Sequence, residues 1–502
     1  MTVPLFPYSP LSLAVFLSSR QIQYFPDMKY IIFSIAFSVI PTVLLSQIFS
    51  VPLAAYQSHE KYHESEITHR RFKHSDVEPL LLKLRENPLF QVTLLGKSIE
   101  GRTIYDVSFG DGKTTVLLWS QMHGDEPTAT MAGLDLFNFF SQSDELDPLR
   151  QQILDKLNIH FIPMLNPDGA EQFQRHNAID IDLNRDALRL QSPESQILKR
   201  VRDSLQADFG FNLHDQSIYY TAGVSPHPAT ISFLAPAYNY EKEVNQVRNQ
   251  ALQLIVLLND AIQSFIPNQV GRYNDDFEPR AFGDNMQKWG TSTVLIESGG
   301  YKDDPEKQQI RKINFILLLT GLHAIAQQHY QKADTQDYFT IPENERRLYD
   351  LVIRNAKQEK KGQEFIVDLG VNRTEIDTED HRKFYHVSRV QNIGDLSTYF
   401  GYQELDAEGL SIEPGKIYPK VQKDLQAVAN LNTQRLLKRG YTTVQVRDLE
   451  SDLPLRSTLL LNVVPKGATP QTTILLGQRG DFILRQRRRA KFSVVNGVII
   501  EL

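Results

Sequence analysis

The sequence predicts an α/β fold, a mixed β-sheet flanked by helices, followed by a C-terminal, mostly β accessory domain. Two textures carry this reading. Between about Asp76 and Ala333, apolar runs rich in β-formers alternate with stretches of helical periodicity. After Thr340 the chain changes to short β-rich pieces separated by Gly, Pro, Asp and Asn. The length of 502 residues leaves room for two or three domains and a sizeable core.

In chain order, the first domain reads as the strands VTLLG, TIYDVSF and TTVLLW, a helix from Ala129 to Phe140, and the strand LNIHFIPML. The helical PESQILKRVRDSL, the strand ADFGFNL, a helix from Val244 to Phe265, the strand STVLIES and the helical EKQQIRKINFILLLTGLHAIAQQ follow. Alternation of this kind points to a largely parallel or mixed sheet. The second domain reads as EFIVDLGV, KFYHVSRV, TTVQVRDL, STLLLNVV, TTILLG and KFSVVNGVII, with one helical stretch at Val421–Arg439. The expected boundaries are a start region over 1–55, a polar, exposed leader over 56–75, a catalytic domain over 76–335 and the accessory domain over 340–502.

A formal net charge of −6 with 41% hydrophobic residues describes an ordinary globular chain and gives no reason to expect a nucleic-acid partner. The basic runs HRRFK and RQRRRAK are read as solvated faces. There is no cysteine, which excludes disulfides, thiol nucleophiles and thiolate metal sites. Met28-Lys29 followed by YIIFSIAFSVIPTVLLS has the form of a secretory signal peptide spanning 28–50 or 28–55. The expected location is therefore secreted or periplasmic, with membrane association only if this segment is retained as an anchor.

QMHGDEPTAT (121–130) places His123 and Glu126 in a strand-to-helix turn, where sites of open α/β sheets are built. Zinc held without cysteine needs about three His or carboxylate ligands and an open position. His214, where the apolar run FGFNL ends, is the candidate third ligand. Arg175, Asn184 and Arg185 cluster in QRHNAIDIDLNRD after LNPDG and suit an anionic substrate end. Glu297, in STVLIESGG, is a strand-end carboxylate whose burial would suit general-base work. His160, His176 and His227 are read as packing or surface residues.

Taken in order, H-G-x-E, N-P-D-G, R-x-N followed by D-L-N-R, L-H and I-E-S-G resemble the zinc carboxypeptidase family, the M14 metallopeptidases, over about half the chain. The resemblance implies a zinc carboxypeptidase-like fold and one Zn2+ per chain, held by His123, Glu126 and His214. It implies that Arg175 polarises the scissile carbonyl, that Asn184 and Arg185 hold the terminal carboxylate, that Glu297 is the general base and that Asp182 orients His123. Tyr273 is the nearest counterpart of the family's mobile tyrosine, with Tyr219 and Tyr220 behind it, and Phe282 and Asp284 are pocket candidates. Asp215 departs from the small hydroxyl residue common after the third ligand and makes the floor of the site more acidic.

The implied activity is hydrolysis of the C-terminal peptide bond of peptides, with a peptide or amide bearing a free carboxylate as substrate. The alternatives are a cell-wall peptide amidase or N-acyl amino acid deacylase of the same mechanism, or a catalytically inactive binding protein.

Overall fold

The computed structural model describes residues 51–449, 453–456 and 458–502. The apolar run 28–50 lies outside them. Among the described residues, no helix is long and apolar enough to cross a membrane.

The first domain contains β1 (Gln91–Lys97), β2 (Thr103–Phe109), β3 (Thr114–Ser120), β4 (Leu157–Ile162), β5 (Phe209–Asp215), β6 (Tyr220–Ala222), β7 (Ile231–Leu234), β8 (Val270–Arg272) and β9 (Ser292–Ser298). Its helices are α1 (51–62), α2 (His74–Lys83), α3 (Thr128–Ser141), α4 (Asp147–Leu154), α5 (Pro167–Gln172), α6 (Pro193–Leu205), α7 (Gln246–Ile262), α8 (Phe282–Lys288) and α9 (Gln308–Ala326). Eight strands form one sheet in the order β1-β2-β4-β3-β5-β9-β7-β8. The centre, β4-β3-β5-β9, is parallel, and antiparallel pairs flank it.

Parallel strands are covered on both faces, which is why β3 carries the unbroken apolar run Val116–Trp119 instead of alternating. Val116 and Leu118 face α3, α7 and α9, together with Phe137, Leu258 and Leu318. Leu117 and Trp119 face α6 and α8, together with Leu198, Val201, Phe282 and Met286. The same alternation runs through β5, where Phe209, Phe211 and Leu213 join the first cluster. His214 therefore points to the opposite face from Leu213.

Residues 56–75 are not an exposed leader. Helix α1 buries Val51, Ala55, Ser58, His59 and Tyr62, a spacing that lays one face against the domain. Tyr56 stacks on Phe265 with ring centroids 4.6 Å apart, and the Tyr62 hydroxyl donates to Asp144 Oδ2 at 2.5 Å. Composition hid this face because half of what it buries is polar. His59 Nε2–H donates to Asp135 Oδ2 at 2.9 Å, and Asp135 also receives Arg311 Nε at 2.7 Å and the Glu64 N–H at 2.8 Å. Arg311 in turn donates to the carbonyls of Ile67 and Glu64. Of the two leader boundaries, 28–50 leaves the described residues of α1 intact, whereas 28–55 would remove 51–55 from it.

In the accessory region β10 (Asn344–Arg346) pairs with β6, and β11 (Leu348–Lys360), β12 (Gln363–Asp377) and β13 (Phe384–Gly394) form an antiparallel meander. That sheet continues through Ser411–Pro414, Phe482–Gln486, Arg489–Val495 and Val498–Glu501. A three-stranded sheet joins Lys416–Gln422, Tyr441–Val446 and Asn462–Pro465. Two expectations are corrected here. Val421–Arg439 is not one helix but a strand end and two short helices, Leu425–Ala429 and Thr433–Lys438, capped by the Asp424 and Asn432 side chains. TTILLG (472–477) forms no strand; Ile474 is buried, while Leu475 and Leu476 are exposed.

Candidate active site

β3, β5 and β9 lie side by side in the sheet and run in the same direction, so their carboxyl ends open at one place. The chain leaves β3 through Gln121, in left-handed conformation at φ 50°, and turns through His123-Gly124-Asp125 to Glu126, whose N–H donates to the His123 carbonyl at 3.2 Å. Gly124 is required by a close approach. A Cβ there would lie 1.9 Å from the carbonyl carbon of Gly169. Gly124→Ala is accordingly expected to destabilise the fold by about 1–3 kcal/mol, as overpacking does, measured as a lowered urea midpoint.

LNPDG, to which the sequence alone assigned no contact, proves to be the buttress of this segment. Asn166 N–H donates to the Gln121 carbonyl at 3.0 Å, and its side-chain amide reaches the carbonyls of Met122 and Arg175 at 3.3 and 3.4 Å. One side chain thereby ties the His123 turn to the Arg175 loop.

His123, Glu126 and His214 are all buried, and one ligand atom from each lies within 4.8 Å of the others. His123 Nδ1 is 2.7 Å from Glu126 Oε1, His214 Nδ1 is 2.7 Å from Glu126 Oε2, and the two Nδ1 atoms are 3.2 Å apart. Two imidazole nitrogens facing each other across one carboxylate form a donor set that a single divalent cation satisfies. His123 Nε2–H donates to Asp182 Oδ1 at 3.1 Å, which fixes the tautomer and leaves Nδ1 free to bind a metal. Burial works to raise the Asp182 carboxyl, but the bond from His123 and the charge of Arg175 hold it well below the usual carboxylate range.

Glu297 is opposite His214 in the β5–β9 register, on the same face of the sheet. Its Oε2 is shut from solvent and has no hydrogen-bond partner. Burial, and then the negative charge of Glu126, push its carboxyl well above the ordinary value. Arg175 is 41% exposed; its Nε donates to Asp182 Oδ2 at 3.0 Å and its Nη1 to Glu126 Oε1 at 3.3 Å. The guanidinium thus borders the metal-binding group with one edge open.

Asn184 and Arg185 follow on a short 3-10 turn, Leu183–Arg185, whose start Asp182 caps. The Asn184 carboxamide oxygen accepts the Phe282 N–H at 2.9 Å, so its NH2 is the group available to a ligand. Arg185 lies 3.7 Å from Glu278, which is held by Arg280. Tyr273 follows β8, its backbone N–H on the Phe233 carbonyl and its ring edge-on to Tyr220 at 5.9 Å. Burial, then the charge of Glu297, raise its hydroxyl far above an ordinary tyrosine's. Tyr219 is turned away, donating to Asp350 of the accessory domain at 2.7 Å.

Three expectations change. Phe282 is not a pocket residue but a core residue packed with Trp119 and Met286. Asp284 is buried and accepts the Glu278 N–H, and burial pushes its carboxyl up to about 7, so it is a poor counter-ion for a basic substrate. The Asp215 charge does not sharpen the acidity of the floor as expected: Lys307 Nζ meets its Oδ2 at 3.0 Å and Thr128 donates to it at 2.6 Å. Lys307 also donates to the Ser298 carbonyl at 3.0 Å, bridging the ends of β5 and β9. Nothing in the spacing of the sequence marks Lys307, because it reaches the site across 92 residues.

Residues 81–254 match the family described as zinc carboxypeptidase. Over that stretch the chain is similar to the zinc carboxypeptidase family. Carboxypeptidase SOL1 of Arabidopsis thaliana is 28% identical over 206 residues, covering 35% of this chain and 42% of that protein. Human carboxypeptidase D is 28% identical over 173 residues, covering 30% of this chain and 12% of that protein. The match to these curated relatives thus spans less than half of their length. A metallo-carboxypeptidase from Burkholderia cenocepacia superposes with a TM-score of 0.42 at 17% identity, over 52% of this chain and 70% of that one. The matched stretch includes His123, Glu126 and His214 and ends before Glu297, which is tied to them by the β5–β9 register.

Proposed function

We propose that this chain is a zinc-dependent metallocarboxypeptidase that hydrolyses the C-terminal peptide bond of peptides. The observation that carries the reading is the convergence of His123, Glu126 and His214 with Glu297 directly across the sheet from His214. Zinc held by His123 Nδ1, the Glu126 carboxylate and His214 Nδ1, one ion per chain, would supply a bound water of lowered pKa and a Lewis acid for the scissile carbonyl.

The remaining work falls to the chain's own side chains. Glu297 accepts the proton of the attacking water and returns it to the leaving amine. Arg175, with an open edge beside Glu126, donates to the carbonyl oxygen as negative charge grows there. Asn184 and Arg185 grip the terminal carboxylate, which limits cleavage to the last bond. Tyr273 closes over the substrate. Asp182 keeps His123 in its binding tautomer and holds Arg175 at once. The signal-like run at 28–50 supports a secreted or periplasmic location, and a membrane contact arises only if that run stays attached.

The test is metal analysis of the purified protein and mass spectrometry of a peptide digest incubated with it. One zinc per chain is expected, with stepwise trimming from carboxyl ends that a chelator stops and added zinc restores. Protein without bound metal, or zinc-loaded protein that leaves every peptide intact, would sink the reading. Release of acyl groups or cell-wall peptides in place of C-terminal residues would redirect it to the amidase or deacylase chemistry.

A further inference from the structure

Beside the β6–β10 pairing and the Tyr219–Asp350 hydrogen bond, one link between the two domains runs through a guanidinium. Arg71, only 4% exposed, lies between two aromatic rings, 3.9 Å from the centroid of Phe173 and 4.8 Å from that of Phe384. Its edges are neutralised by Glu375 at 2.8 Å and Asp377 at 3.0 Å. Three of these groups come from the β12–β13 hairpin, where Asp377 pairs directly with Phe384 and Glu375 with His386, so they share one face. Phe173 comes from the other domain. It ends α5 in left-handed conformation at φ 48° and stands two residues before Arg175.

We infer that Arg71 and the β12–β13 hairpin are positioning elements for Arg175, and that the accessory domain holds the carbonyl-facing loop of the active site from behind. The inference rests on the role given to Arg175 above. On the inner side, the loop backbone is fastened by Asn166 at the Arg175 carbonyl and by the Gln174 N–H on Gly169 at 2.9 Å. On the outer side, the Phe173 ring is held by Arg71, which is itself locked by a doubly ion-paired, desolvated stack. Lys73, buried beside it, donates to the Glu171 carbonyl at the end of α5. Phe173 cannot swing outward without breaking the stack, and a displacement of its backbone is passed to Arg175 through a single intervening residue.

The same hairpin makes another contact with the first domain that avoids the stack, Arg382 to Asp76 at 2.7 and 3.2 Å. That pair separates positioning from mere docking. In the full chain, Arg71→Ala is expected to lower kcat on the best-trimmed peptide about ten-fold with KM within about two-fold, as misplacement of a group acting on the transition state does. Hydrogen exchange over 173–186 is expected to accelerate in the same variant, while Arg382→Ala changes neither. Phe384→Leu, which keeps apolar volume and loses the aromatic face, is expected to show the same signature in weaker form and carries the test if Arg71→Ala does not fold. Unchanged exchange over 173–186, or an equal loss in Arg382→Ala, overturns the inference. A wild type that hydrolyses nothing overturns the hydrolase reading instead, and the exchange result still decides the positioning.

Discussion

Glu297→Gln is expected to keep its zinc and its KM and to lose roughly 10²- to 10⁴-fold in kcat, the span of general acid–base catalysis. The substitution preserves shape and one hydrogen-bond acceptor but removes the ability to take a proton. Glu297 is separate from the metal-binding group, so metal content should match the wild type. Stability should not fall either, because the carboxyl it replaces is buried, unpartnered at Oε2 and repelled by Glu126. The expected result is a folded, zinc-loaded and inactive protein with an undiminished melting temperature. Retained trimming would remove Glu297 from the proton path, and lost zinc would place it among the ligands.

Arg311→Ala is expected to cost about 3–5 kcal/mol, the range for removing one partner of a buried ion pair. Arg311 and Asp135 are both fully buried, and their contact is the hub at which α1, α3 and α9 meet. Without the guanidinium, Asp135 keeps only His59 and the Glu64 N–H, while the carbonyls of Ile67 and Glu64 lose a donor. The same hub gives a sign for pH. Burial works to raise the Asp135 carboxyl, but His59 and Arg311 hold it below an ordinary aspartate's. Its contribution is therefore complete above the unfolded value of about 3.9 and lost as pH falls through the lower folded value. Urea midpoints measured from pH 6 downward should show this acid loss in the wild type and a flatter profile in Asp135→Asn. Equal slopes would assign the acid sensitivity to other carboxylates.

Much of the site was legible because its residues sit where apolar runs stop. Leu118 and Trp119 mark β3 as buried, Pro127 marks the helix behind it, and His123 and Glu126 are the polar residues left between. The ends of β5 and β9 read in the same way. What the sequence does not contain is the order β3-β5-β9, so the facing of His214 and Glu297 becomes visible only in the sheet. Helix α1 was misread for a different reason: SHEKYH is polar, but His59 and Tyr62 bury their polar atoms against Asp135 and Asp144, partners far along the chain. Phe282 was misplaced because position before Glu297 fixes a loop only loosely, and the helix α8 turns it into the core. Lys307 and Arg71 carry no motif at all; their significance is a matter of what they touch.

The pairing of His214 with Glu297 makes the site tolerant of some kinds of sequence change and brittle to others. Connections of β3, β5 and β9 that carry no site residue can lengthen or shorten without moving His214 relative to Glu297, because the ladder between strands sets their spacing. A one-residue insertion ahead of Glu297 inside β9 would instead turn Glu297 toward the face packed by α3, α7 and α9 and bring Ile296 into its place opposite His214. Natural length variation in this chain's relatives should therefore fall in the connections and stop at the boundaries of those strands.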